Sequence, residues 1–327
     1  MRVVVTGAAG FIGSHFARLA AERGDEVVVL DKLTYSGNPA NLEGIEHEFL
    51  QGDICDPEAV ASAAAGCEAI VNFAAETHVD RSIMGPAEFI QTDVAGTQVL
   101  LDWARATGIR YVQVSTDEVY GDLEAGGRSR EVDPLRPSSP YSASKAGGDL
   151  QVLAYARTYG VNASITRGAN TYGPNQYPEK LVPLFVTNAL DGEPLPVYGD
   201  GRQVREWLHV DDHGAAVDLV LREGRSGEVY NVGGEEHENL ELTRRILALT
   251  GAGDSLVRHV EDRPGHDRRY AMDDTKLRAL GWSPARSLED GLAATVDWYR
   301  ENRAWWEPIK SGEFRSYYES QYAERLR

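Results

Sequence analysis

The chain has 327 residues, 42% of them hydrophobic, and a formal net charge of −18. That length supplies a sizeable core and about two domains, while the acidic balance argues against nucleic acid or an anionic membrane as the main partner; a local Arg/Lys cluster can still hold an anionic substrate. Two cysteines, Cys55 and Cys67, make neither a disulfide framework nor a zinc set, no apolar run reaches the ~18 residues of a membrane span, and glycines interrupt any signal-peptide core, so a cytoplasmic protein without a bound metal is expected.

In chain order, Val3 to Val5 is a buried-strand run, followed by a Gly-rich turn and a helix carrying Phe16, Leu19 and Ala20. Further strands are predicted at Val27 to Leu30, Glu48 to Leu50, Ala69 to Phe73, Tyr111 to Ser115 and Ala163 to Thr166. Strands alternating with helices imply βαβ units and a parallel sheet. The predicted class is α/β, a doubly wound Rossmann sheet with a smaller mixed α/β C-terminal domain. After Arg167 the pattern breaks up, with frequent Gly and Pro from Gly173 to Gly201. Helices are predicted at Val182–Leu190, Asp211–Leu221, Leu240–Leu249 and Leu288–Tyr299. The expected division is 1–167 and 168–327, interleaved, the first unit also receiving part of 205–232.

Thr6 to Gly13 (TGAAGFIG) joins the first strand to the first helix. Gly7 permits the tight turn, Gly10 lets backbone approach a pyrophosphate, and Gly13 lets helix pack on strand. The anion would sit on the helix N-terminus. Asp31 ends the second strand, where a carboxylate accepts from the adenosine ribose and repels a 2′-phosphate, favouring NAD over NADP; the neighbouring Lys32 weakens that preference slightly. Asp53 suits either the adenine edge or a plain turn.

Tyr141 and Lys145 lie four residues apart, on one face of a helix begun by Pro140. A nearby ammonium lowers a phenol pKa, which would make Tyr141 a base near neutrality. Asp117 and Glu118 follow Ser115-Thr116 at a strand end, where open α/β sheets bind ligands. Neighbouring acids push their pKa values apart, leaving one as acid and one as base. For Asp211-Asp212-His213, a helix N-cap is the expectation rather than a metal site.

Together with Thr6–Ser14, Thr116–Gly121 and Tyr141–Lys145, the stretches Phe73–Ser82, Tyr172–Pro183, Tyr198–His213 and Asp262–Tyr270 resemble the extended short-chain dehydrogenase/reductase family, and within it the dTDP-glucose 4,6-dehydratases. The resemblance covers nearly the whole chain. It implies an NAD-dependent hydro-lyase, a homodimer built from Rossmann-domain helices, that oxidises dTDP-glucose at C4, eliminates water across C5–C6 and returns hydride to C6. In that scheme Tyr141 takes the C4 hydroxyl proton, Thr116 bonds that hydroxyl and Lys145 holds the nicotinamide ribose. Glu118 takes the C5 proton and Asp117 protonates the departing C6 hydroxyl.

The resemblance further implies cofactor contacts from Gly7, Gly10, Phe11, Ile12, Gly13, Asp31, Lys32, Leu33, Thr34, Asp53, Ile54, Phe73, Ala74, Ala75, Thr77, Thr92, Tyr141, Lys145 and Thr171. Substrate contacts fall to Thr77, Thr116, Asn170, Lys180, Leu181, Pro196, Val197, Tyr198, Arg205, Asn239, Asp262, Arg263, Pro264, Gly265 and His266. Arg205 and Arg263 suit a pyrophosphate, whereas Arg268 and Arg269 fit a solvated face as well as a site. The chain departs from the family pattern at Thr171, usually Asn, at Glu206, usually Asp, and at Thr77, usually Ser. Core or surface packing is expected for Trp305, Trp306, Tyr317 and Tyr318. Related 4-epimerases and decarboxylases, UDP or GDP in place of dTDP, and a non-catalytic NAD-sensing regulator are the alternative readings.

Overall fold

The computed structural model describes residues 1–322. Seven parallel strands, β1 (Arg2–Thr6), β2 (Glu26–Asp31), β3 (His47–Gln51), β4 (Ala69–Asn72), β5 (Arg110–Thr116), β6 (Ala163–Gly168) and, after three strands of a second layer, β10 (Val229–Val232), form one sheet. Its order is β10-β6-β5-β4-β1-β2-β3. The central strands read as continuous Val/Ile runs because both faces are covered. Edge strand β3 is half solvated and carries Glu48.

Helices α1 (Phe11–Glu22), α2 (Pro57–Ala64), α3 (Val79–Met84), α4 (Pro86–Ile90), α5 (Thr97–Thr107) and α6 (Pro140–Tyr159) flank the sheet. Between α4 and α5 the chain widens into a π-helical turn at Gln91–Gly96. Gly148 permits α6 to approach it: a Cβ there would lie 2.6 Å from the Asp93 carbonyl. Helix α6 opens with Pro140 at its first position and a capping box between Ser139 and Ser142, a reciprocal satisfaction of free amides.

The second half builds a smaller layer. Strand β7 (Asn170–Tyr172) pairs parallel with β9 (Val204–His209), which pairs antiparallel with β11 (Glu235–Glu238). Strand β8 (Leu195–Tyr198) pairs with β12 (Val257–Val260). Helices α7 (Leu181–Asp191), α9 (Asn239–Thr250), α11 (Leu288–Glu301), α12 (Arg303–Ser311) and α13 (Glu313–Tyr322) close over them, with short α10 (Thr275–Ala279) beside β10. Their core includes Tyr172, Phe185, Trp207, Ile246, Tyr299, Trp306 and Phe314. Helix α8 (Val210–Glu223) instead packs on α1.

One local expectation needs correction. Helix α8 is capped by the His209 ring, whose Nδ1 accepts from Asp211 N–H at 3.3 Å. Asp211 and Asp212 lie in its first turn; Asp212 accepts from the Ala285 and Arg286 amides at 2.7 and 3.2 Å. Trp305, Trp306, Tyr317 and Tyr318 pack in or against the core of the smaller layer as expected; α13 also brings Tyr317 over Arg81, 4.4 Å from its ring centroid, and Tyr322 into a cavity wall.

Candidate active site

The carboxyl ends of β1, β2, β4, β5 and β6 open into one elongated cavity. Gly7 adopts φ +67°, and a Cβ on it would lie 2.6 Å from the Ala74 amide. A Cβ on Gly13 would lie 2.9 Å from Ala8 Cα, so the turn tolerates only glycine at both positions. Gly10 caps α1 with no side-chain bond to the helix amides, leaving them free for an anion. Asp31 accepts from Ala9 and Leu33 N–H at 2.9 and 2.8 Å; each oxygen keeps a further lone pair. Burial raises its pKa. Lys32 is drawn off to Asp53 at 2.7 Å.

This glycine cradle, the free helix amides and the carboxylate at the β2 end fit a dinucleotide pyrophosphate and its adenosine ribose. Phe11, Ile12, Thr34, Ile54, Phe73, Ala74, Ala75, Thr77, Thr92 and Thr171 line the same cavity. Leu33 does not: it turns the backbone at φ +56° and bonds Asp31.

At the cavity's other limb, Thr116 caps a single 3₁₀ turn at Asp117–Tyr120, accepting from Glu118 N–H at 3.2 Å and donating to Asp117 Oδ1 at 3.0 Å. Asp117 Oδ2 is buried without a partner. Burial and the neighbouring Glu118 push the Asp117 pKa up to about 7. Burial raises Glu118 too, opposed by Arg263, Arg205 and Lys180. Tyr141 and Lys145 line the same limb.

Tyr141 overturns the expectation of a lowered pKa. Burial raises it well above the usual phenol value, helped by Glu118, Asp93 and Asp117. Lys145 Nζ donates to the Val114 carbonyl at 2.9 Å, and a hydrogen bond with Thr116 opposes the rise of Tyr141.

A second cavity shares Glu118, Asn170, Glu179 and Lys180 with the first. Leu181, Pro196, Val197, Tyr198, Arg205, Asn239, Arg263 and His266 complete most of its expected lining. Arg205 lies 4.2 Å over the Tyr270 ring and donates to the Asp267 carbonyl at 2.9 Å. Thr77 and Thr116 face the first cavity only, and Asp262, Pro264 and Gly265 line neither. Asp262 instead braces the wall, bonding His266 at 2.6 Å and Gln203 at 3.0 Å. Arg268 pairs with exposed Asp200 at 2.8 Å, and Arg269 with Glu236 at 2.7 Å.

Residues 3–233 match the model of the NAD dependent epimerase/dehydratase family. The chain belongs to that family. This epimerase/dehydratase is 55% identical to a dTDP-glucose 4,6-dehydratase of Streptomyces niveus over 95% of this chain and 96% of the relative. It is 54% identical to that of Streptomyces antibioticus, over 95% and 96%. A crystal structure of DesIV (dTDP-glucose 4,6-dehydratase) from Streptomyces venezuelae with NAD and TYD bound superposes with a TM-score of 0.92 at 56% identity, covering 95% of this chain and all of that one.

Sequence reading of this epimerase/dehydratase missed Glu76, Asp80, Glu179, His213 and Tyr322 as cavity residues. Glu179 lies inside the Tyr172–Pro183 stretch, where its sequence context suggests no chemistry of its own. In the fold it is buried, accepting from Tyr35 at 2.7 Å and Arg81 at 3.0 Å. Tyr322 lies in the aromatic C-terminal segment, for which the sequence indicates only packing.

Proposed function

We propose that the chain binds NAD+ along the first cavity and dTDP-glucose in the second, and converts the sugar to its 4-keto-6-deoxy derivative. NAD+, when bound, supplies the hydride acceptor for C4 and the donor for C6. Thr116 bonds the C4 hydroxyl, and Tyr141 takes its proton once a positive charge in the cavity offsets the surrounding carboxylates. Lys145, 5% exposed and anchored on Val114, holds the nicotinamide ribose. Oxidation at C4 acidifies C5–H; Glu118, among Arg205, Arg263 and Lys180, accepts that proton. Asp117 keeps its own proton near neutrality and delivers it to the departing C6 hydroxyl.

The observation that carries this reading is the pairing of Asp117, with an unpartnered Oδ2, with Glu118 at the wall between the two cavities. Reduction or epimerisation needs no such acid beside a base. Incubating the NAD-loaded protein with dTDP-glucose should yield a product lacking one water and showing the alkaline absorbance of a 4-keto sugar, with NAD retained. A dTDP-galactose product would make it a 4-epimerase.

Residues 1–167, with α8 and β10, serve the cofactor, and the rest of 168–327 the nucleotide sugar. Exposed Ile83, Met84, Ile90 and Leu150, on α3, α4 and α6, support a homodimer through these Rossmann-side helices, which sedimentation would test. Among the described residues no helix is long and apolar enough to cross a membrane. Both cysteines are free, which suits a cytoplasmic setting, and the net charge of −18 disfavours nucleic acid and anionic membranes as partners.

A further inference from the structure

Nε2 of His213 is a buried ring nitrogen without a hydrogen-bond partner at the wall of the cofactor cavity. His213 stands in the first turns of α8 and is 2% exposed. Its ring lies on the backbone of Gly168, where a Cβ would come within 2.7 Å of Nε2. Gly168 ends β6 and is the register partner of Thr116 on β5. The ring therefore sits at the catalytic limb of the cavity, across the sheet from Asp31.

The other ring nitrogen is committed. Nδ1 lies 2.7 Å from Thr171 Oγ1, and Thr171 Oγ1 donates to the Ala169 carbonyl at 3.1 Å. A hydroxyl has one hydrogen, and a carbonyl can only accept. Thr171 thus gives its hydrogen to Ala169 and receives the Nδ1–H of His213. The ring is left with a lone pair on Nε2, buried at the cavity wall. Burial pushes the His213 pKa down to about 4, so the lone pair persists at neutral pH.

Asp31 and the Gly7–Gly13 turn orient the dinucleotide, with adenosine over β2 and nicotinamide over β5 and β6. The N–H donors of NAD+ are the adenine amine and the carboxamide. The adenine lies at the far limb, and the nicotinamide ribose hydroxyls belong to Tyr141 and Lys145 in the reading above. We infer that His213, oriented by Thr171, accepts a hydrogen bond through Nε2 from the carboxamide amino group of NAD+. This rests on the NAD reading and gives Thr171, a departure from the family pattern, a role through His213 rather than on the cofactor itself.

The test compares binding of NAD+ with that of 3-acetylpyridine adenine dinucleotide, whose methyl ketone carries no N–H. After removal of co-purifying cofactor, the wild type should prefer NAD+ by about five- to tenfold, the worth of one buried hydrogen bond. His213→Leu should abolish the preference by weakening NAD+ alone, and Thr171→Val should erode it. Equal binding by the wild type, or a preference that survives His213→Leu, overturns the inference. Nitrogen NMR of His213 in the wild type supplies a readout independent of any variant: the Nδ1–H tautomer supports it and the Nε2–H tautomer overturns it. Failure of the wild type to bind either dinucleotide would sink the dehydratase reading as well, and is distinguishable from equal binding.

Discussion

Asp117 and Glu118, adjacent in sequence, are held in different electrostatic surroundings. Asp117 is 3% exposed with one oxygen unpartnered, and its pKa is pushed up to about 7. Burial raises Glu118 too, but three cations, Arg263, Arg205 and Lys180, oppose that rise. One capped turn at the end of β5 therefore presents an acid and a base to one substrate.

Asp117→Asn removes the transferable proton while preserving shape. The variant should still oxidise C4, seen as NADH absorbance on adding dTDP-glucose, but form the 4-keto-6-deoxy sugar about 10²–10⁴-fold more slowly, the usual worth of a general acid. Product formation at the wild-type rate would remove Asp117 from the mechanism.

Glu118→Gln should suppress exchange of the C5 proton. In deuterated water the wild type incorporates deuterium at C5 of the product. The variant should accumulate the oxidised sugar without that label, again with a loss of about 10²–10⁴-fold in product formation. Mass spectrometry of the sugar distinguishes this from a simple loss of binding.

Stability of the cofactor-free chain should peak at mildly acidic pH. Glu76 and Asp117 are raised to about 7, Asp93 to about 6 and Glu206 to about 8. Their folded forms bind more protons than the unfolded chain above its carboxyl values of 3.8 and 4.5, so the stability they lend is fully present below those values and lost progressively as pH rises through their folded values of about 6 to 8. His209, His213 and His266, depressed to about 4, act oppositely: the stability they lend is lost as pH falls below 6.5. Between about pH 4.5 and 6.5 the two sets largely offset each other, so thermal melts should show little change in Tm there and a clear fall from pH 6.5 to 8.5. A Tm rising steadily with pH would contradict these environments.

Arg167 is 2% exposed and donates to Asp149, itself fully buried, at 2.8 Å. Arg167→Met leaves that carboxylate uncompensated and should cost about 3–5 kcal/mol in denaturant unfolding. Adding Asp149→Leu should recover most of it, because the penalty lies in the orphaned charge. Recovery absent from the double variant would place the cost in lost packing.

Wild-type protein should bind NAD+ more tightly than NADP+, and Asp31→Ala should narrow the difference, since the carboxylate that repels a 2′-phosphate is gone. Titration with both nucleotides measures it; tighter NADP+ binding by the wild type would remove that role from Asp31.

Local order and the chemistry-bearing motifs were written in the chain itself. Val3–Val5 and Val27–Leu30 announce buried strands because both faces of a parallel sheet need apolar side chains. Gly7 and Gly13 announce a tight turn because a Cβ would collide with backbone there. The Asp-Glu pair and Tyr141–Lys145 were visible because these are costly groups set at a strand end and a helix start. Only the tertiary structure decided what surrounds them. It raised the Tyr141 phenol by burying it and by assembling Glu118, Asp93 and Asp117 around it, and it capped α8 with His209. It also brought Glu179, His213 and Tyr322 to cavity walls from distant segments. Periodicity reports which face of an element is buried, whereas desolvation and Coulomb terms depend on neighbours that only folding supplies.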